Sequence, residues 1–331
     1  MTSTSTGTTG RATRLTWVDS IRGTAILLVI VLHASLTLGT YTEYSPRAVE
    51  LFNSALAPFR MPTLMFLTGL FVSRSLAKGT RTYFSGKLRN IAWPYLVWAF
   101  ITLVEAGDLT VEFALRAAYN PRETHLWYLW FLVIFYAAAW VLRRVPPMVP
   151  AAVALVASQW LPEDYRLEKG FFLFAFFMLG GAFDKHRRRL EPTLASGPVL
   201  IVSAAAALIT GALSVDGWKV LYEPLSVPGV LGLIVLAMWA VPRVSAGATR
   251  SALEYLGRNS IAFYVSHLLV VVAGARMLSG AGVTDPWIVL PTIVALALLV
   301  GILLTEAARR SRVASLLVSW PADDSRQRTR A

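Results

Sequence analysis

Ten apolar runs follow one another along this chain, and the connections between them alternate between strongly basic and mixed or acidic. Hydrocarbon offers no partner to a free backbone N–H or C=O, so runs of this kind close their hydrogen bonds internally as helices. They lie at about 17–38, 51–72, 91–106, 125–142, 148–161, 170–183, 197–214, 225–242, 259–279 and 287–307. With a mean hydropathy of +0.57 and only 15% charged residues, the chain reads as an all-α, polytopic membrane protein.

A net charge of +12 raises nucleic acid as a ligand, but the distribution of that charge excludes it. Arg and Lys cluster in every second connection: 74–89, then Arg143 and Arg144, then Lys185 to Arg189, then Arg243 to Arg258, and finally Arg309 to Arg312. This is the positive-inside pattern, and it gives about ten transmembrane helices with both termini cytoplasmic, in a cytoplasmic (inner) membrane. Runs 148–161 and 170–183 are shorter than the ~20 residues that cross a bilayer, so one of them is a candidate re-entrant segment. Residues 1–15, rich in Ser, Thr and Gly, read as a disordered cytoplasmic tail. Residues 16–312 form one transmembrane domain and 313–331 a cytoplasmic C-terminal tail. Asp19 and Arg22 interrupt the first run, which argues for an uncleaved span rather than a signal peptide. In the connection at about 107–124, LTVEFALRAAYN reads as a surface helix.

Ionisable groups inside a span are costly and usually functional, which singles out Arg22 and His33 in WVDSIRGTAILLVIVLHASL. Eleven residues apart, they share one helix face at two depths about 16.5 Å apart. His33 lies fourteen residues after Asp19, and Arg60 fourteen before Arg74 in the antiparallel second span, so His33 and Arg60 occupy one depth. Pro62 can bend that second helix. An imidazole can take a proton from a hydroxyl at neutral pH, and a guanidinium beside it can stabilise an oxyanion. Arg22 can bind a carboxylate or phosphate, or simply pair with Asp19.

These residues resemble a known family. VDSIRGTAILLVIVLH is similar to the opening signature of the integral-membrane acyltransferase-3 family, in which an aspartate is followed by Arg-Gly and a histidine eleven residues after the arginine. FRMPTLMFLTGLF is similar to its second-span pattern, with Thr68 in place of the usual serine before Gly69. KLRNIAWPYLVW and LGRNSIAFYVSH resemble the opening of the third span and a late span ending in Tyr-x-x-His. LFNSALAPFRMP with HLWYLWFLV looks closest to the branch that includes periplasmic glucan succinyltransferases. The resemblance maps the family's catalytic histidine onto His33 and its first-span arginine onto Arg22. It implies transfer of an acyl group from cytoplasmic acyl-CoA, such as acetyl-CoA or succinyl-CoA used as a co-substrate, to a hydroxyl of an extracytoplasmic glycan or related acceptor.

On that reading His33, Arg22 and Arg60 are the catalytic candidates. Arg22 with Arg74, Lys78, Arg81, Lys87 and Arg89 are candidates for the CoA phosphates. His267, Tyr264, His125, Trp127 and Trp130 are candidates for the acceptor or its cavity, although Trp127 and Trp130, with Tyr128, also fit an interfacial aromatic belt. His186 reads as a cytoplasmic loop residue. The chain has no cysteine, which removes thiolate chemistry, and its four histidines are too scattered to argue a metal. No HxxxxD, GxSxG, P-loop or HExxH pattern occurs. The competing readings are a proton-coupled secondary transporter using His33, Arg60 and His267 as a relay, and a non-catalytic scaffold.

Overall fold

The computed structural model describes residues 16–107, 110, 112, 125–161 and 167–321. The expected tail at 1–15 and nearly all of the expected surface helix in 107–124 lie outside them.

The described residues form an all-α membrane protein with a helix at each of the ten apolar runs. In chain order these are α1 (Thr16–Tyr41), α2 (Arg47–Gly69), then the short α3 (Val72–Leu76) and α4 (Thr80–Lys87), then α5 (Trp93–Ala106) and α6 (Trp127–Val141). There follow α7 (Met148–Ala157), α8 (Leu167–Leu194), α9 (Gly197–Val215), α10 (Val227–Ala240), α11 (Ala248–Arg258), α12 (Ser260–Gly280), α13 (Pro286–Arg310) and the short α14 (Arg312–Ser315). Six helical segments, those built on α1, α2, α9, α10, α12 and α13, are long and apolar enough to cross a membrane. The two runs flagged as short resolve differently. At 10 residues, α7 reaches only about 15 Å and falls well short of a bilayer. Run 170–183 is instead the apolar half of the 28-residue α8. That helix continues through DKHRRR, so His186 stands on a helix rather than in a loop, its Nδ1–H donating to Ala182 O at 2.9 Å.

Pro62 does not break α2, which runs continuously past both Pro58 and Pro62. Pro58 has no N–H to offer the carbonyl of Ser54, and the Ser214 hydroxyl of α9 donates to that oxygen instead, at 2.6 Å. Glycines set the helix crossings. A Cβ on Gly23 would run into the backbone of Leu253, and one on Gly257 into the backbone of Asp19, so α1 and α11 touch main chain to main chain. Gly69 and Gly180 do the same for α2 and α8 against Phe177 and Phe66. Lipid tails are as apolar as the side chains, so close backbone approach rather than water exclusion is what holds such helices together. At the other extreme, α9 turns Ile201, Val202 and Leu208 outward, as a lipid-facing helix should.

One contact crosses most of the sequence. Residues 316–320 pack against α5: the indole N–H groups of Trp93 and Trp98 donate to Leu316 O and Leu317 O, each at 2.7 Å, and Trp320 meets the Trp93 ring edge-on at 4.3 Å.

Candidate functional site

α1 and α2 are held side by side by Asn53, whose amide donates to the Ser35 hydroxyl at 2.8 Å and to Val49 O at 3.1 Å. The same asparagine receives Arg60, seven residues further along α2, whose Nη2 donates to Asn53 Oδ1 at 2.7 Å and to Asn53 O at 3.0 Å. Arg60 is 3% exposed, its Nε has no partner, and no carboxylate pairs with it among the described residues. A buried guanidinium left this incomplete is expensive, and an incoming anion or oxyanion relieves it.

Arg60 and His33 line one cavity of about 620 Å³, together with Asn53, His125, Trp127, Lys169, Tyr222 and Tyr264. The two residues that the hairpin register placed at one depth thus open onto the same space. His33 Nδ1 lies 2.8 Å from Val29 O, and only a protonated nitrogen pairs with a carbonyl, so the hydrogen sits on Nδ1. His267, 1% exposed on α12, donates from its own Nδ1 to Tyr264 O at 2.6 Å. Its Nε2 is then an acceptor, and it stands 3.3 Å from His33 Nδ1. Two neutral imidazoles thus agree on one proton arrangement, which leaves Nε2 of His33 as a base on a ring that lines the cavity.

His125 joins them, its ring 6.2 Å from that of His267 and its Nε2 3.5 Å from Val265 O. Three histidines scattered in sequence are thus neighbours in space, although no three of His, Asp and Glu form a metal-ligand group among the described residues. His125 and Trp127 belong to the cavity wall rather than to a lipid-facing belt. Trp130 does not line it and packs on Phe131 at 5.4 Å. Among the lining residues, sequence reasoning missed Asn53, Lys169 and Tyr222. Lys169 puts its ammonium 3.3 Å from the Trp127 ring centroid and 4.7 Å from that of Tyr222. Of these residues only Asn53, an amide inside an apolar run, carried a signal that could have found it.

Arg22 stands apart. It lines a second, smaller cavity of about 150 Å³ with Thr68, Tyr128, Ser260 and Tyr264, and its nearest acid is Asp19 at 4.0 Å.

The basic connection does not form a single cradle. Arg74 pairs with Asp184 at 2.9 Å, and Arg89 donates to Trp320 O at 3.0 Å, while Lys78 and Arg81 are exposed. Lys87 is half-buried, with its ammonium 3.6 Å from the Tyr136 ring. Burial, with Lys78 nearby, pulls its pKa down to about 8. The folded protein therefore holds fewer protons than the unfolded chain between about pH 8 and the ordinary lysine value, and Lys87 adds stability as pH rises through that window. Thermal melts of detergent-solubilised protein should show this rise above pH 8, and Lys87→Met should remove it while raising stability at pH 7. An unchanged pH profile in the variant would refute the assignment.

Comparison with known proteins agrees with this architecture. The family described as Acyltransferase domain matches residues 15–306. The chain is 23% identical to the inner membrane protein YcfT of Escherichia coli (strain K12) over 291 residues, covering 77% of this chain and 79% of that one. No solved structure matches. A half-buried histidine and a buried arginine with no carboxylate partner among the described residues share one cavity of a polytopic helical protein, and the family match spans nearly all of the chain that builds it. The chain belongs to the integral-membrane acyltransferase-3 family and is a multi-pass membrane acyltransferase.

Proposed function

We propose that this acyltransferase takes its acyl group from acyl-CoA on the cytoplasmic side of the inner membrane and places it on a hydroxyl of an extracytoplasmic glycan or related acceptor. The observation that carries this reading is the pair of His33 and Arg60 on one cavity wall, with the His33 hydrogen committed to Nδ1. The acceptor hydroxyl attacks the thioester carbonyl while His33 Nε2 takes its proton. Arg60 stabilises the oxyanion that develops on the carbonyl oxygen. The C–S bond then breaks, CoA leaves as thiolate and receives the proton from His33, and the products are the ester and free CoA. His267 does not touch the reacting atoms. It acts as a positioning residue that holds the His33 tautomer, as second-layer partners do for catalytic imidazoles. Trp127 and Tyr222 offer ring faces to a sugar.

Membership in the family favours acyl transfer over transport. The test is thioester consumption by purified protein in liposomes supplied with acetyl-CoA or succinyl-CoA and a panel of sugar acceptors. Release of free CoA matched by acylated acceptor is the expected result. No release with either donor and any acceptor would overturn the choice of acyl-CoA.

His267→Gln keeps a polar side chain but not the ring geometry, and it should lower turnover by about tenfold, within the cost of losing a supporting hydrogen bond. It should also shift the pH profile of turnover. A variant that loses expression but keeps the wild-type profile would reduce His267 to a packing role.

A further inference from the structure

The larger cavity holds His33 and Arg60, the smaller one Arg22 and Thr68, and among the described residues one side chain, Tyr264, lines both. Its position is held by hydrogen bonds rather than by packing alone. The phenol donates to His125 O at 2.9 Å and lies 3.4 Å from the N–H of Tyr128, which donates to it. Both partners belong to the segment that opens α6. The ring stands 5.4 Å from that of Tyr128 and 5.7 Å from that of His267. Beyond it, Tyr128 OH meets Thr68 Oγ1 at 3.2 Å, on the wall of the smaller cavity.

A wall built this way is movable. Rotating the Tyr264 side chain breaks its hydrogen bonds to His125 O and from the Tyr128 N–H, both between neutral groups, and leaves the main chain in place, including the carbonyl that orients His267. A bound ligand on either side can supply the difference. We infer that Tyr264 is a gate between a donor cavity at Arg22 and an acceptor cavity at His33, closed at rest and opened by the acyl chain. The inference rests on the proposed function above, with Arg22, a candidate for the CoA phosphates, on the donor side and His33, the proposed base, on the acceptor side. It gives the partition a purpose: a standing channel would admit water to the thioester carbonyl, and water attacking in place of the acceptor would yield the free acid and CoA.

The absence of cysteine from the chain makes the gate directly testable. In a Thr68→Cys protein the single thiol lies on the wall of the smaller cavity, and a membrane-impermeant thiol reagent can be applied to sealed vesicles of either orientation. With Tyr264 intact, labelling is expected from one face only. With Tyr264→Ala in the same background, that sidedness should be lost and the thiol should label from both faces. Tyr264→Phe keeps the ring but neither hydrogen bond, so it should label at the second face more slowly than the alanine variant and faster than the parent. Unchanged sidedness in both variants, or labelling of the parent from both faces, would overturn the gate. In a second arm, Tyr264→Ala should raise CoA release in the absence of acceptor relative to release coupled to acceptor acylation. If wild type consumes no acyl-CoA, the donor assignment fails, while the labelling arm still reports whether Tyr264 divides the two cavities.

Discussion

A His33→Ala protein is expected to fold and insert normally while its rate of acyl transfer falls about 10²–10⁴-fold, the range a positioned general base contributes. The size of the effect follows from how little else can replace it. His267 is the nearest imidazole, but its Nδ1–H is committed to Tyr264 O, its Nε2 faces His33, and it is fully enclosed. His125 is part of the same group, yet its Nε2 points toward Val265 O. His267 is therefore unavailable as a base, and His125, with its hydrogen on Nε2, is the remaining imidazole on the cavity wall. Steady-state turnover in liposomes, with monodispersity and thermal melting as controls, measures the loss. Wild-type turnover in a well-folded His33→Ala protein would remove His33 from the chemistry and would turn attention to the other side chains of the cavity.

The second large effect is structural. Gly257→Ala should destabilise the protein by an amount at or above the top of the ~1–3 kcal/mol range typical of overpacking, because the added methyl meets main chain rather than a mobile side chain. The Asp19 backbone cannot move aside without carrying α1, and α1 carries His33. Gly86→Ala is the matched control: it sits within α4 with open space around it and an ordinary φ, so alanine there should be neutral or stabilising by about 0.5–1 kcal/mol. Thermal unfolding in detergent separates the two variants. Equal melting temperatures for both would mean that α1 and α11 do not make the close crossing described here.

Much of this architecture was legible from the chain because a bilayer narrows the choices. Each apolar run had to be a helix, and the alternating basic connections ordered those helices across the membrane. Within a single hairpin, helical rise was enough to put His33 and Arg60 at one depth, and both line one cavity. The same rules worked less well where a run was short. Length alone marked both 148–161 and 170–183 as too short to cross without saying which of them was, and the length of α8 became apparent only once DKHRRR proved helical.

What the chain alone determined is therefore depth, order and residue type: membrane helices, a histidine and two arginines within the apolar layer, and the family they belong to. What the tertiary structure decided is which of these groups meet. His33 and His267 are 234 positions apart with ring nitrogens 3.3 Å apart, Lys169 at the start of α8 and Tyr222 just before α10 join the cavity wall, and Tyr264 lines both that cavity and the one that holds Arg22. The physical reason is that helical spacing sets height and face along one rod. The rotation and closeness of different rods depend on where glycines let backbones touch and where a hydroxyl or amide finds its partner on another helix.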